Sequence, residues 1–401
     1  MNKPLPLEGV RVLEVASMIF APMAGQYLGD MGAEVIKVEP PEGDLTRSVG
    51  PRRSPKMGAF FLNSNRSKRS IVVDLKRAEG REILQRLLKD TDVLLHSMRT
   101  PAADKLGLNY EQLARANPKL VYCHAVGYSD EGAYAGRPAY DDIIQAASGM
   151  AKLQSVIGGE PRYIPSVVVD KICGVHAAYG IVLALMHRAR TGQGQHVEIP
   201  MMETMTAFNM IEHQWGHIFD PPQGKMGYPQ VSAGTRRPYR TRDGYISLMP
   251  YLDAHWMRFF ELAGAPEAKE DERYRTFAQR QKHVVEVWDE VERLAARKSN
   301  AEWLALLTEE DIPFAIVQEM DELTRDPHLN SVDFCQVAQH PTEGTLRLPR
   351  NPLRLSASPA EIKRLPPGLG EHSVEILREC AFDEQAISSF VEPGGVCAAA
   401  L

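Results

Sequence analysis

Asp170 is the most suggestive single residue of the sequence. It ends the apolar run Val167-Val168-Val169 and opens a long helical pattern. Aspartate is a good N-cap there, accepting a hydrogen bond from the free N–H groups of the first turn. The same place keeps a carboxylate ionised and offers N–H donors to a developing oxyanion. Asp170 therefore reads either as a cap or as a reactive carboxylate. A second group is basic. Asn65-Arg66-Ser67-Lys68-Arg69-Ser70 precedes a strand pattern, Lys76 ends it, and Arg99 and Lys105 follow the next one. Such a run is a solvated face or a phosphate-binding rim. Other candidates fail on spacing. The turn Ser17–Gly25 carries one glycine where a dinucleotide fingerprint needs several, so Glu39 reads as a solvated strand-end acid. His213 and His217 are four apart on an expected helix, but Gln214 stands where a zinc protease carries its glutamate. Cys123 and His124 are adjacent on a strand and point to opposite faces. With no CxxC pair either, no metal site is expected.

These residues are placed by an alternation of strand and helix patterns. Strands are expected at Val10–Ala16, Glu34–Glu39, Ser70–Leu75, Val93–His96 and Leu120–Ala125, and helices at Phe20–Gly32, Glu79–Lys89 and around Asn109–Arg115. Alternation of this kind implies crossover connections and a largely parallel sheet with helices on both faces. After an irregular stretch with a short helix at Asp141–Met150, Ser166–Val169 reads as extended. Lys171–Arg190 reads as a strong helix, with Ile172, Val175, Tyr179, Val182 and Met186 on one stripe. A strand at His196–Ile199 and a helix at Met201–Ile218 follow. Pro221–Gly234 is the best linker. Beyond it come a hairpin turning at Asp243-Gly244 within 239–249, helices over 254–310, a Pro-rich stretch at Pro341–Pro367 and a last helix at His372–Cys380. The expected organisation is a large domain over 1–220, a small α/β domain over 221–330, and a segment at 331–401 returning to the large domain.

Composition bounds the function. The 401 residues are 44% hydrophobic and 24% charged, with a net charge of −6, which excludes disorder as the main state and argues against wholesale nucleic-acid binding. Five scattered cysteines make no disulfide framework. The start MNKPLPLEGV has no signal-peptide core, and the longest apolar stretch, 181–186, is far short of a membrane span. A cytoplasmic enzyme with no membrane or nucleic-acid partner is expected.

Taken together, the residues resemble the class III CoA-transferases, the CaiB/BaiF-type family that includes formyl-CoA transferase and carnitine CoA-transferase. The matching segments are Leu7–Leu13, Leu28–Glu39, Asn65–Lys76, Tyr140-Asp141 with Gln145 and Ser148-Gly149, Arg190–Gln195 (RTGQGQ), and Leu369–His372. Five or more segments in the family's order carry far more weight than any one. The resemblance implies a Rossmann-like large domain with a parallel sheet, a small α/β domain, and a homodimer whose two subunits interlock like chain links. It makes Asp170 the catalytic nucleophile. It assigns coenzyme A contacts to Val73, Lys76, Ser97, Met98, Arg99, Lys105 and the loop Arg137–Tyr140, with no such warrant for Arg66. Coenzyme A is then a substrate, with no tightly bound cofactor.

The implied reaction transfers CoA from an acyl-CoA to a free carboxylate through an aspartyl mixed anhydride and an aspartyl-CoA thioester. Arg236 and Arg237, with Arg240 nearby, suit the second carboxylate of a small dicarboxylic acceptor. Two departures matter. Ile19 replaces the glutamine that formyl-CoA transferases carry in the first turn, and Gly234 stands alone where they have a glycine-rich loop. An acyl-CoA racemase or epimerase is an alternative, although Tyr140 stands where racemases have a histidine. A non-catalytic acyl-CoA-binding protein is a further alternative.

Overall fold

The computed structural model describes residues 4–399 except Ala233 and Thr235, so part of the loop Val231–Arg236 lies outside the described residues. Six strands form one sheet: β1 (Arg11–Val15), β2 (Glu34–Glu39), β3 (Lys68–Val72), β4 (Val93–His96), β5 (Val121–Val126) and β6 (His196–Pro200). Their order is β3-β2-β1-β4-β5-β6 and every pairing is parallel. The order reverses between β1 and β4. A doubly wound sheet opens a crevice at such a point, beyond the carboxyl ends of the strands.

Both faces are buried because alternate residues are apolar. Val12, Val35, Val93, Leu95 and Cys123 pack under helices α1 (Phe20–Asp30) and α5 (Val168–Thr191). Leu13, Ile36, Ile71, Leu94 and Tyr122 pack on the other side under α2 (Ala78–Lys89) and C-terminal residues Ile376, Leu377 and Ile387. Helices α3 (Tyr110–Ala116), α4 (Asp141–Ala147) and α6 (Met201–His213) complete the connections.

The chain divides into two compact units: residues 1–151, 163–209 and 332–401, and residues 152–162 with 210–331. The second has its own core of Trp256, Phe259, Phe260, Val291 and Trp303, and a three-stranded antiparallel sheet of Tyr239–Arg240, Tyr245–Leu248 and Phe314–Ile316. The last strand was not foreseen.

Several expectations need correction. β3 starts at Lys68, two residues before the expected Ser70, because Lys68 and Arg69 are buried and paired rather than solvated. Arg66 binds Asp30 (2.7 Å), Lys68 binds Glu14 (2.8 Å), and Arg69 binds Glu375 and Glu379 (2.8 and 2.7 Å). The basic cluster is thus an internal ion-pair set, not a rim. Glu39 is buried too, held by Arg47 (2.7 Å) and Ser70 (2.6 Å).

The long helix begins at Val168, inside the run read as extended, and only Ile172 and Val182 of the expected stripe pack against the core. Val169, Cys173, Gly174, Ala177, Ile181 and Ala184 are buried, whereas Val175, Tyr179 and Met186 are exposed. Small residues win the inner face because α1 lies so close. A Cβ on Gly174 would come within 2.9 Å of the Phe20 carbonyl. Among the described residues α5 is the one helix long and apolar enough to cross a membrane by length and composition. The RTGQGQ segment ends it: Gly192 takes the left-handed C-cap, and a Cβ on Gly194 would overlap the Leu120 carbonyl. His213 ends α6 and His217 lies in a separate 3-10 turn, so the two do not share a helix. A hairpin not expected from the sequence, Cys335–His340 with Gly344–Pro349, runs into the start of the Pro-rich stretch, and a further helix lies at Glu384–Val391.

Beneath the crevice lies a set of fully buried charges. Lys37 binds Glu14 and Asp44 (2.8 Å each), and Lys68 binds the same Glu14. Burial of charge is tolerable only with close counter-charges. Changing Glu14 to Gln leaves Lys68 without a carboxylate partner. Urea denaturation followed by circular dichroism should register a loss of about 3–5 kcal/mol, the usual cost of breaking a buried pair. A loss below about 1 kcal/mol would mean that the cluster does not hold the sheet together.

Candidate active site

Two cavities open beyond the carboxyl ends of the strands, at the order reversal. One, of about 300 Å³, is lined by Ser17 and Met18 after β1, Ser97 and Arg99 after β4, Val126 at the end of β5 with Gly127, Tyr128 and Asp130 after it, Gly136–Tyr140, and Asp170. The other, of about 620 Å³, is lined by Val38–Gly43, Val73–Lys76, Ser97, Met98 and Leu106. Ser17, Leu45 and Ser97 line both.

The walls are set by local sequence. Met18 takes a left-handed conformation (φ 70°) that turns the chain sharply out of β1, and its N–H donates to Asp44 (3.3 Å). Asp44 also accepts from the Thr46 N–H and hydroxyl (2.9 and 2.7 Å), which fixes the loop carrying Leu45. The buried ions therefore shape the crevice as well as the sheet.

Asp170 is the third residue of α5, in its first turn, and not the cap expected of it. Val167 holds the cap position and gives no side-chain hydrogen bond. A carboxylate from another helix does the capping: the Asp170 N–H donates to Asp141 Oδ2 (3.0 Å). Gln145 Nε2 donates to Asp141 Oδ1 (2.6 Å), and its own carbonyl accepts from the Ile164 N–H (2.8 Å). This chain of bonds joins the start of α4 to the start of α5.

Burial pushes the Asp170 carboxyl up to about 7, and the negative charge of Asp141 adds to the rise. The helix N-terminus was expected to keep the group ionised; desolvation and a neighbouring carboxylate outweigh it. A carboxyl poised near neutrality, more basic than an ordinary one, is suited to attack a carbonyl when it loses its proton. By contrast, burial raises the Cys123 thiol to about 12, which removes it as a nucleophile.

The other expected residues divide between the cavities. Ser97, Arg99, Arg137 and Tyr140 line the Asp170 cavity, and Arg137 stacks on Tyr134 with 4.1 Å from guanidinium to ring centre. Val73, Lys76, Ser97 and Met98 line the larger one. Lys105 ends a short helix, Thr100–Lys105, is exposed and lines neither cavity. In the second unit Arg237 pairs with Glu292, Arg240 is exposed, and Arg236 lines a small cavity with Tyr228, Trp256 and Trp288. Sequence reasoning missed Met18, Leu45 and Asp130. The Pro40-Pro41 break followed by Gly43 was the available sign of a shaped loop near Leu45.

The model of CoA-transferase family III matches residues 7–373. The chain belongs to CoA-transferase family III. It is 33% identical to succinate–glutarate CoA-transferase of Agrobacterium fabrum, over 94% of this chain and 96% of that one. It is 28% identical to formyl-CoA:oxalate CoA-transferase of Escherichia coli, over 96% and 98%. Among solved structures, a CAIB/BAIF family protein from Brucella suis superposes with a TM-score of 0.83 at 30% identity, covering 94% of this chain and all of that one. Rv3272 of Mycobacterium tuberculosis, named as a probable fatty acyl-CoA transferase, gives a TM-score of 0.81 at 31% identity, covering 93% of this chain and 99% of that one. The protein is thus a CoA-transferase of mixed α/β fold, and CoA thioesters are its substrates.

If the ionised Asp170 carboxylate reacts, the rate of its first acylation should climb with pH and level off above about 7. Asp141→Asn keeps an oxygen acceptor for the Asp170 N–H and removes the repelling charge. The midpoint of that climb should then move to lower pH. Rapid-quench acylation rates from pH 5 to 9 test this, and an unmoved midpoint would mean that Asp141 does not set the ionisation of Asp170.

Proposed function

We propose that this CoA-transferase works through covalent catalysis at Asp170. The Asp170 carboxylate attacks the acyl-CoA thioester carbonyl, the C–S bond breaks, and CoA leaves as thiolate. The product is an aspartyl–acyl mixed anhydride. The thiolate then attacks the aspartyl carbonyl and releases the donor acid as carboxylate, leaving an aspartyl-CoA thioester. An acceptor carboxylate attacks that thioester, again freeing CoA thiolate, and the thiolate takes the acceptor acyl group from the new anhydride. Asp170 is regenerated. Splitting one exchange into four displacements keeps each barrier low. The observation that carries this reading is a carboxyl raised to about 7 on the wall of a cleft at the order reversal of a doubly wound sheet.

The larger cavity is the natural place for the nucleotide end of CoA, with Val73, Met98 and Leu106 as apolar surface and Lys76 toward phosphate. The pantetheine arm would then run past Ser17, Leu45 and Ser97 to Asp170, beside Arg99, Arg137 and Tyr140. Lys105 would reach a phosphate only from outside both cavities. A small dicarboxylate as acceptor is supported by Arg236, which pairs with no carboxylate among the described residues, and by the name of the Agrobacterium relative. We propose that the reaction runs in the cytoplasm, with acyl-CoA as donor.

The enzyme is proposed to be an interlocked homodimer. The exposed face of α5, with Val175 at 49%, Tyr179 at 61% and Met186 at 49%, is too apolar to face water by preference and suits a second copy of the chain. Sedimentation on dilution should show dimer alone, since linked subunits separate only by unfolding. A reversible monomer would refute the interlock.

The decisive test of the reaction is transfer from succinyl-CoA to a panel of carboxylates, read by mass spectrometry. New CoA thioesters should form with the parent enzyme, and Asp170→Ala should abolish them while CoA binding persists. Turnover within tenfold of the parent would remove Asp170 from the reaction. Lys76→Ala should raise the acyl-CoA KM by about ten- to a hundredfold, the value of a charge-assisted hydrogen bond, and leave the carboxylate KM nearly unchanged. Equal effects on both would return Lys76 to a solvated face.

A further inference from the structure

The carboxyl end of the sheet holds a second constellation that the transfer chemistry does not use. His124 near the end of β5, Asp130 in the loop after it, and Glu198 on the adjacent β6 bring one nitrogen and two carboxylate oxygens within 4.8 Å of one another. His124 and Asp130 are close in the chain, but Glu198 lies 68 residues beyond Asp130, so no local spacing could have revealed the full set. The expectation of no metal rested on such spacings.

The hydrogen bonds decide what these atoms face. His124 is 97% buried, and its Nε2 lies 2.7 Å from the Met98 carbonyl oxygen. A carbonyl oxygen has no proton to give, so Nε2 carries the hydrogen and donates it. In the neutral ring, Nδ1 then presents a bare lone pair, and it points to Asp130 Oδ2 at 3.5 Å. Nδ1 forms no hydrogen bond among the described residues. A lone pair and a carboxylate oxygen at that separation repel unless something positive lies between them. The second carboxylate, Glu198, adds negative charge, and among the described residues no lysine or arginine pairs with Asp130 or Glu198.

Every prospective ligand is also held from behind. The Ser129 hydroxyl and the Asp130 N–H donate to the two oxygens of Glu198 (2.9 and 2.8 Å). The Thr100 hydroxyl donates to Asp130 Oδ2, and Met98 orients His124. Metal ligands are commonly fixed by such outer partners, and an imidazole that donates from one nitrogen coordinates through the other.

We infer that His124, Asp130 and Glu198 form a binding site for a first-row divalent cation, with Nδ1 of His124 as the nitrogen ligand. One imidazole and two carboxylates suit manganese or zinc better than a purely oxygen-preferring ion. Three protein ligands leave coordination positions for water. Asp130 also lines the Asp170 cavity, so the cation sits at its margin. The inference does not depend on the transfer reaction.

The test uses the full-length protein stripped with a chelator and desalted. Manganese(II) titrated into it should lose its free-ion electron paramagnetic resonance signal to the extent of one ion per chain, and zinc should compete for the same site. Pulsed resonance on the bound manganese should show coupling to one imidazole nitrogen. That result needs no variant, so a misfolded mutant cannot obscure it. His124→Gln or Glu198→Gln should weaken binding by more than about a hundredfold, and Thr100→Ala by about ten- to a hundredfold as an orienting partner is lost. No uptake of either ion at millimolar concentration, no nitrogen coupling, or unchanged affinity in the ligand variants would overturn the site and leave a proton, shared between His124 and Asp130, as the positive charge.

Discussion

The shared carboxylate of Glu14 is the constraint on which the crevice depends. It accepts two buried ammonium groups, Lys37 from the neighbouring strand and Lys68 from the strand beyond. Helix α1 crosses directly above: a Cβ on Gly25 would overlap the Glu14 carboxylate. Lys37 passes the constraint on to Asp44, and Asp44 to the Met18 N–H. Three strands, one helix and two crevice loops are thereby locked in register by charges that cannot be moved into solvent without loss of their partners. The arrangement also explains why the first turn needs no glycine-rich fingerprint. Its shape is imposed from below by ions rather than from above by a pyrophosphate.

The ionisation of Asp170 is set by a different balance. Asp170 stands in the first turn of a long helix, where the dipole lowers a carboxyl, and beside Asp141 in a buried setting, where desolvation and like charge raise it. The second pair of effects wins, and the group sits near neutrality. Asp141 has two roles that pull together. It accepts the backbone N–H of Asp170 in the first turn of α5, while the Asp170 side chain lines the cleft, and its charge makes that side chain more basic.

Much of this was legible in the sequence. Strand β2 at Glu34–Glu39 and β4 at Val93–His96 fall where apolar periodicity puts them, and Asp170, marked out by its place between an apolar run and a long helix, lines a cleft. The errors have a common cause. Lys68 and Arg69 read as part of a solvated face or a phosphate rim, and Glu39 as solvated, because single-sequence reasoning assigns charge to the surface; their partners, Glu14, Glu375, Glu379 and Arg47, lie up to 310 residues away in the chain. The inner face of α5 was misread because the largest side chains were taken as the core, whereas the close approach of α1 puts Cys173, Gly174 and Ala177 there, with Val169 and Ile181. Capping of α5 by Asp141, 29 residues upstream, and the convergence of His124, Asp130 and Glu198 are likewise properties of topology, invisible to local pattern.

The covalent intermediate is the most direct test of the account. The enzyme should be incubated with acyl-CoA, quenched within a single turnover and analysed by intact mass and peptide mapping. A CoA thioester, with loss of one water, should appear on the peptide that contains Asp170, should be cleaved by hydroxylamine, and should vanish on addition of an acceptor carboxylate at the rate of turnover. Full transfer with no adduct on that peptide, or an adduct that the acceptor does not discharge, would contradict covalent catalysis at Asp170.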